Sequence, residues 1–74
     1  MYKVNVNYFE EHGHYEKEWS KNFKNFVAAD EYCRGIIKEI MRDCNDADWD
    51  ETTKGYVVTH SPKMRMIIEI TKVA

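Results

Sequence analysis

Absences narrow this sequence before any motif does. No apolar run approaches the roughly 20 residues of a membrane span. The start, Met1-Tyr2-Lys3-Val4-Asn5, alternates instead of showing the basic head and apolar core of a secretory signal. No membrane partner is therefore expected, and the chain reads as soluble, unprocessed and cytoplasmic. Charge of one sign is scarce too: 11 Lys and Arg stand against 13 Asp and Glu, a formal net charge of -2. That balance excludes the broad basic field that drives non-specific nucleic-acid binding. Only two cysteines occur, Cys33 and Cys44. On one helix they would lie about 16 Å apart along the axis, outside disulfide range. Both are expected to be free, buried, apolar side chains in a reducing compartment. There is no internal repeat and no linker, so residues 1–74 read as a single domain.

What is present belongs to a folded chain. Hydrophobic residues make up 43% and aromatics 14% of 74 residues, too apolar for a disordered tail but near the lower size limit for one core without disulfides or metals. Between Asn25 and Cys44, apolar side chains recur at Phe26, Ala29, Cys33, Ile36, Ile37, Ile40 and Cys44. At about 100° per residue they fall in one sector about 100° wide, which predicts an amphipathic helix. Asn25 is the expected N-cap, with Asp30 and Glu31 early and Lys38 and Arg42 late, as the helix dipole favours. Gly35 lies opposite the stripe and costs about 1 kcal/mol relative to Ala, with no reason in the sequence beyond close approach by a partner.

Strands flank this helix. Tyr2, Val4, Val6 and Tyr8 alternate with polar residues, a period of two. Glu10 to His14, with Gly13, suits a hairpin loop. Tyr15 to Phe23 resumes the alternation with so many charges that it reads as an edge strand. After the helix, Asp43 to Glu51 reads as an acidic loop. Thr52 to His60 carries a strand centred on Tyr56, Val57 and Val58, Ser61-Pro62 a turn, and Lys63 to Ala74 the most hydrophobic strand. The expected fold is α+β: a four-stranded, largely antiparallel sheet with one helix on one face (ββαββ). Strand order is expected to be 2-1-3-4, fully antiparallel, or 2-1-4-3, with a parallel central pair.

No catalytic signature is found, and no metal or cofactor is expected. Asp46, Asp48 and Asp50 open like an EF-hand loop, but its sixth position is Glu51 and its twelfth is Val57, where glycine and glutamate are required. His12-Gly13-His14 offers two imidazoles where zinc needs three or four ligands. Cys33 lacks a histidine placed to activate it, and His60 beside Ser61 reads as a turn. Two surfaces are left as candidates. The acidic segment Asp43, Asp46, Asp48, Trp49, Asp50 and Glu51 could bind a partner, with Trp49 as anchor. The sheet face away from the helix carries Phe9, Val57, Ile67 and Val73, a patch suited to a homodimer or another partner. Lys17, Lys21 and Lys24, interleaved with Trp19, Phe23 and Phe26, support an alternative, a small single-stranded nucleic-acid-binding domain.

In its small size, its helix against a small sheet, its mild acidity and its clustered loop acids, the chain resembles the phage-encoded anti-CRISPR and other anti-defence proteins. The resemblance is one of architecture and composition, and carries no residue over. It implies a non-enzymatic protein-binding inhibitor of a host defence nucleoprotein that works by occupying a surface. Here that role would fall on Asp43, Asp46, Asp48, Asp50 and Glu51, as a local acidic patch against a basic groove.

Overall fold

Alternation sets the sheet. The computed structural model describes residues 1–13 and 15–73, and orders the elements β1 (Tyr2–Glu10), β2 (Glu16–Phe23), α1 (Phe26–Asp43), β3 (Asp48–Glu51), β4 (Gly55–Thr59) and β5 (Met64–Lys72). The strands form one antiparallel sheet in the order β2-β1-β5-β4-β3. The α+β class and the edge position of β2 agree with the sequence. The strand count does not: the sheet has five strands, because the last four residues of the segment expected to be an acidic loop, Asp48–Glu51, pair with β4.

Of the two expected orders, 2-1-4-3 is the one found, as β2-β1-β5-β4, and 2-1-3-4 is not; the additional strand corrects the expected direction of the central pair. In a four-stranded chain with order 2-1-4-3, the last strand would run parallel to the first. Inserting β3 between helix and hairpin reverses the direction of everything after it, so the central pair β1–β5 is antiparallel. Residues of β3 are all exposed, and Trp49 is its only apolar side chain. Its strand conformation comes from pairing with β4 and from the Trp49–Tyr56 edge-on ring contact, centroids 5.7 Å apart, not from a hydrophobic period of its own.

The helix buries Ala29, Cys33 and Ile37 against Val4 and Val6 of β1, Met66 and Ile68 of β5 and Tyr56 and Val58 of β4. Asn25 caps it as expected, its side-chain oxygen accepting from Ala28 N–H at 2.9 Å. Two members of the expected stripe depart from it. Phe26 is exposed and rests edge-on against Tyr2, and Cys44 is the half-buried C-cap. Asp30 lies beyond the first turn, so its acid is placed for a different purpose than the dipole. It accepts a short hydrogen bond from the Tyr56 hydroxyl and one from Arg34 Nε at 2.9 Å, tying the helix to β4.

The Tyr56 hydrogen bond, followed by the Arg34 contacts, holds the Asp30 carboxyl below its usual range. A carboxylate depressed in the folded state stabilises above its unfolded pKa near 4, and that contribution disappears as pH falls through the folded value. Urea denaturation between pH 6 and pH 2 should show this acid loss, and Asp30→Asn should flatten it while lowering stability at pH 6.

Two glycines are expected to behave oppositely. A Cβ on Gly55 would overlap the Ile68 backbone carbonyl, whereas one on Gly35 meets nothing within 4 Å. Gly55→Ala should therefore cost about 1–3 kcal/mol through a clash with backbone. Gly35→Ala should gain about 1 kcal/mol from helix propensity. Denaturant midpoints of the two variants check both signs.

Candidate functional site

Register decides which of the expected site residues share a surface. On the face turned from the helix, Glu18, Asn7, Ile67, Val57 and Asp50 stand in one row across the five strands. The next row runs Glu16, Phe9, Arg65, Thr59 and Asp48. Phe9, Ile67 and Val57 thus form an apolar strip, with exposed acids at both ends: Glu16 and Glu18 on edge strand β2, Asp48 and Asp50 on edge strand β3. Ile67, 39% exposed, is the centre of it. Arg65, the base between, already pairs with Glu11 at 3.3 Å. Asn7, in the same strip, has its side-chain Oδ1 buried with no hydrogen-bond partner among the described residues, an unmet acceptor that costs about 1–3 kcal/mol.

The structure therefore merges parts of the two expected surfaces and separates others. Asp48 and Asp50 join Phe9, Val57 and Ile67. Trp49 and Glu51, alternating with them, turn to the helix side, where they pair with Val58 and Tyr56. Asp43 ends the helix with its carboxylate accepting from Arg42 Nε at 3.3 Å, and Asp46 lies in the turn before β3. Val73 shares the open face by parity but stands six residues from Ile67, about 20 Å along an extended chain. Its N–H donates to the Met1 carbonyl at 2.9 Å.

The basic and aromatic residues of β2 lie on the helix side, opposite this surface. Lys17 sits 5.7 Å from the Trp19 ring centroid and Lys21 5.6 Å from that of Phe23. Trp19 Nε1–H donates to the Tyr32 hydroxyl at 3.2 Å. These rings are partly buried against the core. Of the two expected loop imidazoles, His12 is exposed, with a left-handed φ of 64°, and His14 lies outside the described residues. Among the described residues, no group of three or more His, Cys, Asp or Glu could hold a metal ion.

One constellation was not legible in the sequence. Both cysteines are free, but only Cys33 is fully buried. Cys44 Sγ lies 2.8 Å from His60 Nε2, and His60 Nδ1 lies 2.6 Å from the Tyr8 hydroxyl. The expectation of two inert buried thiols is corrected for Cys44, and His60, expected as a turn residue beside Ser61, faces the thiol. Thiol, imidazole and phenol come from the helix cap, the β4–β5 turn and β1. Their order is that of a nucleophile, a base and a group that orients the base. Burial, with Tyr15 and Cys44 nearby, pushes the Tyr8 phenol above its usual range, so it stays neutral at pH 7. A phenol donating to Nδ1 leaves the proton on Nε2, which then donates to sulfur, whereas a phenol accepting from Nδ1–H frees Nε2 to take the thiol proton as the base.

Comparison with known proteins is silent: no family model, curated protein or solved structure matches this chain. No helix among the described residues is long and apolar enough to cross a membrane.

The two thiols should differ sharply in reactivity. Burial, followed by the charge of Asp30, pushes the Cys33 thiol up to about 11. With an aromatic disulfide reagent at pH 7.5, one thiol per chain should react in the native protein and two in urea. Mass mapping should place the first on Cys44, and His60→Gln should change its rate without exposing Cys33.

Proposed function

We propose that this chain is a non-enzymatic protein-binding module that uses its open sheet face against a basic partner. The observation that carries this reading is the cross-strand register, which sets Asp48 and Asp50 on the same face as Phe9, Ile67 and Val57, with Glu16 and Glu18 at the opposite rim. An apolar centre inside a charged rim is the anatomy of a protein interface. The four rim acids select a target with bases around an apolar patch. A nucleoprotein's basic groove has this chemistry, so surface occupation of the kind seen in anti-defence inhibitors is the mode of action these features favour.

A homodimer through the same face is the weaker reading, because a second copy would bring acids against acids at both rims. The nucleic-acid reading is weaker still, since the rings that would stack bases are turned to the core beneath Lys17 and Lys21.

The test is capture of partners from host lysate by immobilised protein at 0.1 M salt. The partner retained by wild type should elute as salt rises to about 1 M. Its affinity should fall at least about tenfold with Ile67→Asp. It should fall about three- to thirtyfold with Asp48→Asn and Asp50→Asn combined. A partner that ignores both changes, or a strict dimer in sedimentation that Ile67→Asp dissociates, would overturn the assignment to a basic target.

A further inference from the structure

On the opposite side of β3 lies a groove of about 820 Å³ between the helix flank and Trp49. Its floor and far wall are apolar: Met41 and Trp49 are 36% and 37% exposed, and Gly35 leaves a notch beside them in which a Cβ would touch nothing within 4 Å. Arg34, Lys38 and Arg42 line its helix side with the acid Glu31, spaced i, i+4, i+8 along one ridge; Arg34 is paired with Asp30 and Arg42 with Asp43, both pairs solvent-exposed and open to exchange. The groove borders an unpaired strand edge, because β3 bonds to β4 on one side only. The Trp49 N–H donates to the strand's own Asp48 carboxylate at 2.8 Å, which covers the edge with a side chain instead of a neighbour.

From these features we infer that the groove takes an extended peptide segment of another protein, added as a sixth strand to β3. The incoming strand displaces the exposed Asp48 carboxylate from the Trp49 N–H; main-chain hydrogen bonds to the edge then supply part of the affinity, and side chains at alternate positions supply the specificity. Residues of the incoming strand that point to the groove are acidic or apolar, to meet Arg34, Lys38, Arg42 and the Trp49 ring. Those that point to the other face stand beside Asp48 and Asp50 and are basic. The ligand is therefore an extended segment in which acidic or apolar residues alternate with lysine or arginine.

A second copy of this chain does not fit. Two β3 strands paired antiparallel about a two-fold axis keep every side chain on its own face, so Asp48 stands opposite Asp50, or Asp50 opposite itself, and acids meet acids on the open face in either register. A single-stranded nucleic acid fits less well than a peptide, because Asp48, Asp50 and Glu51 on the same edge repel phosphates and the free backbone groups go unused. This surface is distinct from the open face, and the inference does not rest on the function proposed for that face.

The probe is an acetylated eight-residue peptide with glutamate and valine in turn at odd positions and lysine at even ones. It is titrated into the full-length, nitrogen-15-labelled protein and followed by amide spectra and hydrogen exchange. Saturable shifts should appear at residues 48–51, Gly35 and Met41, with slowed exchange in β3. Lys38→Glu with Arg42→Glu should weaken binding at least about tenfold, while Ile67→Asp should leave it unchanged. A version with proline at its two central positions should not bind. If the charge-reversed pair fails to fold, Lys38→Gln with Arg42→Gln should still weaken binding several-fold. No saturable shift, shifts confined to the open face, equal binding of the proline peptide, indifference to the Lys38 and Arg42 changes, or tighter binding of an eight-residue oligothymidylate at the same residues would each overturn strand addition.

Discussion

An α-helix with its side chains is about 10 Å wide, while five strands at about 4.8 Å spacing span about 19 Å. One helix cannot cover such a sheet on one face, let alone on two. Here it is seated by Ala29, Cys33 and Ile37 and pinned to β4 by Asp30 and Tyr56. That leaves Trp49 on β3 as the outer wall of a trough, and leaves the far face uncovered. Both candidate binding surfaces are consequences of this mismatch between one helix and one sheet.

The two surfaces meet at β3 and differ in sign because a strand alternates its side chains. Asp48 and Asp50 go to the open face, Trp49 and Glu51 to the helix side. Four consecutive residues thus place acids beside an apolar strip on one face and an aromatic ring beside a cationic ridge on the other. Gly35 fits the same picture. It lowers helix propensity and no neighbouring atom requires its small size, so its cost has no intramolecular return, whereas on the groove wall it widens the channel.

Much of the fold could be read from periodicity. The Asn25 cap, the helix, the alternation of β1 and β5 and the polar edge strand β2 rest on patterns several residues long, and all were found where those patterns put them. β3 was missed because a four-residue strand with one apolar side chain has no period to detect, and its pairing depends on β4 across a turn. That single omission propagated to the direction of the central pair and to the grouping of Asp48, Trp49 and Asp50, which alternation would have split. The Cys44–His60–Tyr8 chain was beyond the sequence for a different reason. Its members are separated by 16 and 52 residues, and only the assembled register brings them together.

The middle of this sheet pairs its first strand with its last: Tyr2 stands opposite Lys72 in the β1–β5 pair. The first and last strands in sequence thus form the central ladder, and this contact closes the longest loop between paired strands. Closing that loop is the slow, entropy-limited step expected of high contact order. During synthesis the helix and the first hairpin must wait, with Val4 and Val6 uncovered on one side, until the last strand has left the ribosome.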